Sequence, residues 1–429
     1  MNTENILRIL REEIVPAQGC TEPIALAYVC AKATELLGHK PERIMIEVSG
    51  NMIKNVKSVN IPNSNGLVGI EAACAMGAIA GIASKELMVI SQVSAEDLKN
   101  IKAFLAQNTI EVVHAKTDIP LYAKATVYAQ DESVCVEIKH LHTNITKIEK
   151  NGKELINQIC HDVQFHTTQE ERETLSVREI YELALSIDLS LIQDIFDLVI
   201  TRNSTIAQAG LDGEYGVNIG CMIQKNIELG LYGDDQRNRC ASFASAGGDA
   251  RMSGCSLPVM TTSGSGNQGM AASLPIIQYC QDQNISKEML IRTLFFSHLT
   301  TIHLKSSIGR LSAFCGVICA TSAVSGALVF VQGGDYESIS MAITNSLGNI
   351  SGVICDGAKA SCAMKIATGV YTAFDSSMLA LAKKALHSGD GIIGVDIEDT
   401  ISNIGILAQN GMKETDNIIL EIMEKKKPL

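Results

Sequence analysis

Tryptophan is absent from these 429 residues and aromatics make up only 4% of them, so stacking platforms for bases or sugars are scarce. Basic charge is also short. Lys and Arg number 35 against 47 Asp and Glu, a net charge of -12, and no basic block exceeds the tail Lys425-Lys426-Lys427. That balance argues against a nucleic-acid partner. No HExxH, CxxC, GxSxG or complete P-loop occurs, which removes the commonest zinc-hydrolase, dithiol, serine-hydrolase and nucleotide readings. The nearest P-loop miss, Gly352 to Lys359, is out of register and lacks the following Ser or Thr. No apolar leader is expected either, since Glu4, Arg8, Arg11, Glu12 and Glu13 occupy the first turns. The expected compartment is the reducing cytoplasm, where cysteines serve as small core residues or as metal and catalytic thiols rather than disulfides.

What is present is apolar and small. Hydrophobic residues reach 46% and glycine 34 residues, enough for two or three domains with cores of Ala, Ile, Leu and Val. Residues 311 to 334 carry no charge, a length that could span a bilayer. Their Ser, Thr, Cys, Gly and Ala content, with no aromatic belt and no basic flank, predicts a buried core helix and no membrane contact. The fold class read from the pattern is α+β. Residues 1–40 form a helical segment, broken at Pro16 to Gly19, that packs on a catalytic domain. Residues 41–170 form an α/β domain with a mixed sheet, and 171–429 a mainly α-helical catalytic domain. Strands are expected at 42–50, 54–62 and 86–93 and in several runs from 109 to 154, with helices at 67–84 and 94–107. Gly/Ser-rich breaks are expected at 244–269, 352–358 and 388–394, and a domain boundary in the polar stretch 166–176.

Thirteen cysteines are the most informative residues. Cys30, Cys74, Cys135, Cys160, Cys221, Cys240 and Cys280 have ordinary neighbours and read as core, and in the loop around Cys255 the glycines matter more than the thiol. Cys20 in GCTEP, Cys315 in SAFCGV, and Cys355 with Cys362 in CDGAKASC stand in more suggestive settings, with Cys319 as a rival to Cys315. On one straight helix Cys355 and Cys362 would lie about 10 Å apart along the axis, too far to share a small centre. Asp356-Gly357 therefore predicts a turn at Cys355 and a helix carrying Cys362. Cys315 and Cys319, one turn apart, could both face such a centre, and spacing alone leaves the choice open. Three thiolates without a fourth suit a 4Fe-4S cluster with one open iron, whereas structural zinc takes four protein ligands. His298 and His303 on an apolar helix read mainly as core residues.

A small-anion site is predicted where the loop TTSGSGNQG runs into a helix, because free backbone N–H groups at a helix start attract a carboxylate or phosphate. Ser263, Ser265, Asn267 and Gln268 stand there. Asn51, Lys54 and Asn55, in SGNMIKNVKSVNIPN, stand near a second turn before a glycine-opened helix.

Taken together, GCTEP, SGNMIKN with IPN, SGSGNQG and CDGAKASC, in that order over essentially the whole chain, resemble the L-cysteine desulfidases. These are in turn similar to the α-chain of iron-sulfur L-serine dehydratases. The resemblance implies a 4Fe-4S cluster with three cysteine ligands, no pyridoxal phosphate, and conversion of a small amino-acid substrate, L-cysteine, to pyruvate, ammonia and hydrogen sulfide. It implies one ligand about 40 residues before a close pair, and Cys315 stands 40 before Cys355 with Cys362 seven further on, which selects Cys315 over Cys319. It also implies that Cys20 accepts the substrate proton, its pKa expected to be lowered by the helix start and the metal site. Substrate contacts are expected from Asn51, Lys54, Asn55, Ser263, Ser265, Asn267 and Gln268. An L-serine dehydratase and a non-catalytic iron-sulfur amino-acid sensor are the alternatives, and a homodimer is left open.

Overall fold

The computed structural model describes residues 3–157, 172 and 174–425, so Cys160 and most of the expected boundary at 166–176 lie outside the described residues. Helix α1 (Thr3–Glu13) is followed by a short strand β1 (Pro16–Gln18) and helix α2 (Thr21–Leu37). Strand β2 (Arg43–Val48), helices α3 (Gly50–Val56), α4 (Ile70–Ala80) and α5 (Ala95–Leu105), and strands β3 (Ile110–His114), β4 (Tyr122–Ala129), β5 (Glu132–Lys139), β6 (Ile145–Lys150) and β7 (Lys153–Asn157) complete an α/β body. Its sheet runs β3-β2-β4-β5-β6-β7, with β2 and β3 parallel and the other pairs antiparallel, so it is mixed as expected.

Alternation explains which face of the sheet is covered. Ile44, Ile46 and Val48 on β2, Ala123, Ala125 and Val127 on β4, and Val134, Val136 and Ile138 on β5 point to one side. They share a core with Ile24, Leu26 and Val29 of α2, which is apolar on nearly every face because α4 covers its other side. Two expected strands are absent from this body. Residues 50–56 are helical because Ser49 caps them, its hydroxyl accepting from Met52 N–H at 3.3 Å, while Met52 and Val56 bury at four-residue spacing. Residues 83–88 form a 3₁₀ turn.

The remainder is a helical body. It contains α6 (Val177–Ser186), α7 (Gln193–Asp212), α8 (Ile219–Glu228), α9 (Gln236–Met252), strand β8 (Pro258–Met260), α10 (Gly266–Asp282) and α11 (Lys287–Ile308). Then follow α12 (Gly316–Val331), α13 (Tyr336–Ile350), α14 (Ser361–Leu381), α15 (Ile397–Ile406) and α16 (Lys413–Lys425). Every residue of α12 from Val317 to Val331 is buried, so the charge-free run is a core helix, packed by α10, α11, α13 and α14. Among the described residues no helix is long and apolar enough to cross a membrane. The break expected from 244 begins later, because α9 continues to Met252. Its Gly247 and Gly248 admit Met270 and Ala363 at close range instead of turning the chain.

The N-terminal stretch 1–40 divides instead of packing whole on the helical body. Ile6, Ile9 and Leu10 of α1 bury in the helical core, and α2 buries in the sheet core. Between them β1 pairs antiparallel with β8, Ala17 opposite Val259. Just before this ribbon, buried Glu13 meets Arg172 and meets Arg310 at 2.6 Å. Burial pushes the Glu13 carboxyl up, but Arg310 and Arg172 outweigh it and the net direction is down. A carboxyl lowered on folding stabilises above its unfolded pKa and loses that contribution as pH falls through the folded one. Glu13→Gln should therefore cost roughly 3–5 kcal/mol near neutral pH, by leaving buried guanidinium groups short of a counter-charge. The gap in thermal midpoint between variant and parent, followed by circular dichroism, should close as the pH is taken below about 4.

Candidate active site

Each suggestive cysteine sits at a fixed end of a regular element. Cys20 follows β1 and is the residue that caps α2, with extended backbone and a side chain 2% exposed. Cys315 stands at the same position before α12, and the Cys20 thiol makes no bond to its own helix. An antiparallel bridge joins Phe314 to Ile354, with Cys355 N–H donating to the Ala313 carbonyl at 2.6 Å and Cys315 N–H to the Val353 carbonyl at 3.2 Å. The turn expected at Asp356-Gly357 is present: Gly357 has φ +94°, and a Cβ there would come within 2.5 Å of the Lys54 carbonyl. Cys362 then stands in the first turn of α14.

These ends meet at one cavity of about 90 Å³, lined by Cys20, Cys315, Cys355 and Cys362. Ser263, Ser265, Asn267, Gln268 and Asn55 line it too. Cys319 does not; it is fully buried one turn along α12. Asn51 and Lys54 also lie elsewhere. Asn51 borders an outer pocket of about 810 Å³ that shares Arg310, Leu311 and Ser312 with the inner cavity. Lys54 is buried behind the cysteine loop, where its ammonium donates to the Cys355 carbonyl at 3.2 Å and pairs with Asp416 of α16. Two acceptors in the wall hold this ammonium as a brace, outside the lining of the inner cavity. His298 and His303 are likewise absorbed, by Thr262 and Glu398, each at 2.6 Å.

Four helices begin at this cavity, contributing Thr21 and Glu22 (α2), Asn267 and Gln268 (α10), Gly316 and Val317 (α12) and Cys362 (α14) to its wall. Their positive ends and first N–H groups all favour anions there. Sequence reasoning missed the side-chain charge that accompanies them. Arg251 near the end of α9, Lys305 near the end of α11, Arg310 after it, and His142 between β5 and β6 line the same cavity, and nothing around them in the sequence marks them as functional. Arg251 is 3% exposed and its Nε has no partner; Gly266 makes room for it, since a Cβ there would lie 2.5 Å from that nitrogen. Gly316 does the same for the Gln268 amide, a Cβ falling 2.7 Å from its carbon. Asn267 Oδ1, Gln268 Oε1, Asn55 Oδ1 and His142 Nε2 are buried without partners. Unsatisfied polar atoms this concentrated point to a polar ligand, since each costs about 1–3 kcal/mol otherwise.

Burial dominates the titration of the site. It pushes Cys20 up to about 12, aided by Glu22 and Cys362 and opposed by Arg251 and Lys359, so the lowering expected for this thiol at a helix start is not seen. Cys315 is raised to about 12 by burial and then by Cys355 and Cys362, and Cys362 is raised by burial. Burial lowers His142 to about 4, which leaves a neutral imidazole. Lys305 is lowered by burial against the pull of Cys319, Cys355 and Cys315. Among the described residues no three His, Cys, Asp or Glu side chains converge as one metal ion requires. A cluster divides its ligands among separate irons, so three thiols spaced around a cavity fit it better than a single ion.

The family model for the serine dehydratase alpha chain matches residues 84–421, which takes in the SGSGNQG loop and the three clustered thiols Cys315, Cys355 and Cys362. A UPF0597 protein of Fusobacterium nucleatum is 59% identical over 422 residues, covering 98% of this chain and 99% of the relative. UPF0597 proteins of Desulfitobacterium hafniense and Lachnoclostridium phytofermentans are 46% and 41% identical, each over 98% of this chain and over 96% and 99% of their own length. Those names state a family and no reaction, whereas the domain match states one. With most of its length matched, this chain belongs to the serine dehydratase alpha chain family.

Proposed function

We propose that this chain is an iron-sulfur-dependent lyase that eliminates the β-substituent of L-cysteine, taking up water to give pyruvate, ammonia and hydrogen sulfide. The observation that carries the reading is the meeting of four cysteines and the SGSGNQG loop, from distant parts of the chain, at one small polar cavity. Cys315, Cys355 and Cys362 would hold a 4Fe-4S cluster, which when bound would supply an open iron as Lewis acid for the departing group, in place of the electron sink at Cα that pyridoxal phosphate gives other enzymes. Membership of the serine dehydratase alpha chain family favours a second reading, L-serine with hydroxide as leaving group, on the same residues.

The chain's own groups then divide the remaining work. Asn267 and Gln268 at the start of α10, with Arg251 beneath Gly266, receive the substrate carboxylate, a charge-assisted contact worth more than a neutral one. Asn55 completes that wall from the α/β body. Cys20 takes the proton from Cα; the C–H electrons form the double bond as the Cβ–S bond breaks and sulfide departs. The resulting aminoacrylate tautomerises and hydrolyses unaided. Burial makes a thiolate at Cys20 a stronger base than an ordinary one, and Arg251 and Lys359 are the cations that favour its formation. The reaction takes place in the cytoplasm on a free amino acid, with neither nucleic acid nor membrane as partner.

Three outcomes test this. Protein reconstituted anaerobically with iron and sulfide should hold about four irons per chain; Ala at Cys315, Cys355 or Cys362 should abolish this and Cys319→Ala should not. Stoichiometric zinc in place of iron, or iron lost from Cys319→Ala and kept by Cys315→Ala, would overturn the ligand set. Cys20→Ser should keep fold and iron yet lose both pyruvate formation and exchange of the substrate Cα proton with deuterium oxide, because serine supplies no comparable anion near neutral pH. Near-normal turnover in that variant would remove Cys20 from proton transfer. Asn267→Ala should lower kcat/KM about tenfold or more with cluster absorbance intact, and unchanged kinetics would reduce the loop to a structural turn.

A further inference from the structure

We infer that Glu22 accepts the α-ammonium of the substrate, so that the cavity recognises a zwitterionic α-amino acid by charge at both ends and rejects its desamino analogue. The inference deepens the reading above and rests on it. A cavity lined by Arg251, Lys305 and Arg310, with four helix starts facing it, favours anions everywhere except at one side chain. Among the described residues Glu22 is the only carboxylate in that lining. An ammonium ion carried into such a place has no other full negative charge on a protein carboxylate to meet, and leaving it unpaired would cost more than the carboxylate contact returns.

The position of Glu22 is set from three sides. It stands in the first turn of α2, where the helix start favours a carboxylate. Its Oε1 accepts from the Asn55 amide at 3.1 Å, and its Oε2 lies 3.1 Å from the Thr21 hydroxyl. That same hydroxyl is 2.9 Å from the Gly264 carbonyl, which ties Glu22 to the glycine loop that carries Asn267. Oε1 therefore holds one donor, the single Thr21 proton is shared between Oε2 and the nearer Gly264 carbonyl, and both oxygens keep acceptor capacity, since a carboxylate can take about four donors. Cys20, two residues earlier, lines the same cavity, so an ammonium at Glu22 would leave the adjoining Cα within the space that the thiol assigned to take its proton also borders. Binding at the two ends, by groups that do not react, would thus fix the carbon that does.

L-Alanine and propionate separate the two ends, because they share size and carboxylate, differ in the ammonium, and carry no group that can be eliminated. Titration calorimetry on the anaerobic holoenzyme should show L-alanine bound at least about tenfold more tightly than propionate. Glu22→Gln should weaken L-alanine by about tenfold to a hundredfold while propionate binds equally or better, since a negative charge has left an anion site. Glu22→Asp should retain the preference for L-alanine at reduced affinity, and it serves also if the glutamine variant fails to fold. Equal binding of the two ligands by the parent enzyme would overturn the assignment, as would a Glu22→Gln enzyme with an unchanged ratio. So would a variant that binds L-alanine normally but forms no product, which would make Glu22 the proton acceptor. The binding ratio is read without turnover, so absence of pyruvate from both L-cysteine and L-serine would sink the lyase reading alone, and loss of the preference with turnover intact would sink Glu22 alone.

Discussion

Four helix starts aimed at one cavity are the constraint on which the rest of this structure depends. Thiols, a carboxylate ligand and the sulfur of a departing group are all anionic or become so, and burial opposes each of them. Burial is the largest of the causes that drive Cys20 and Cys315 up to about 12. Free N–H groups and helix dipoles reduce that penalty without adding side chains that would fill the cavity. Cys20 caps its helix with no side-chain bond to it, so the first N–H groups of α2 remain available to whatever the cavity holds.

Helix starts can only converge if the chain segments before them are fixed, and two backbone pairings do this. The β1 and β8 ribbon places Cys20 beside the 261–265 loop, and the Phe314 to Ile354 bridge sets Cys315 against Cys355. Both join segments far apart in sequence, so they cost loop-closure entropy that must be offset elsewhere. The offset lies in two cores. One seats α2 on the sheet, and the other surrounds the charge-free α12, so the elements that carry the thiols are also among the best buried. Lys54 adds a brace from the α/β body, joining the Cys355 carbonyl to Asp416 of the final helix.

Much of this was legible in the sequence, and the reasons differ by residue. The core helix at 316–331 follows from an absence of charge, the mixed sheet from alternation, and the turn at Gly357 from a spacing that no straight helix could satisfy. The clustering of Cys315, Cys355 and Cys362 with Cys20 rested on resemblance and not on periodicity, since Cys319 satisfies the same helical spacing as Cys315. A lysine beside asparagines reads as a ligand group, whereas here the Cys355 carbonyl and Asp416 of the final helix hold Lys54 in the wall. Residues 54–62 and 86–93 look like strands because Val and Ile recur in them, but the Ser49 cap and the 3₁₀ turn at 83–88 prevail locally. Arg251, Lys305 and His142 carried no local signal at all, because their meeting depends on which helix and strand ends come together.

The glycines resolve the remaining conflict between density and charge. A site packed with guanidinium and amide groups needs space that ordinary side chains would occupy, and Gly266 and Gly316 leave it where Arg251 and Gln268 lie. The glycine-rich loop is therefore more than a flexible phosphate-type cradle: it starts a helix, and it also lets a buried cation reach the cavity from beneath. That arrangement costs stability, since Arg251 Nε and several amide oxygens stand unpaired within the protein. A ligand carrying a carboxylate and an ammonium satisfies both kinds of unpaired atom at once, and one with a single charge satisfies only half. Selectivity for an α-amino acid thus follows from the same unpaired groups that make the cavity expensive to build.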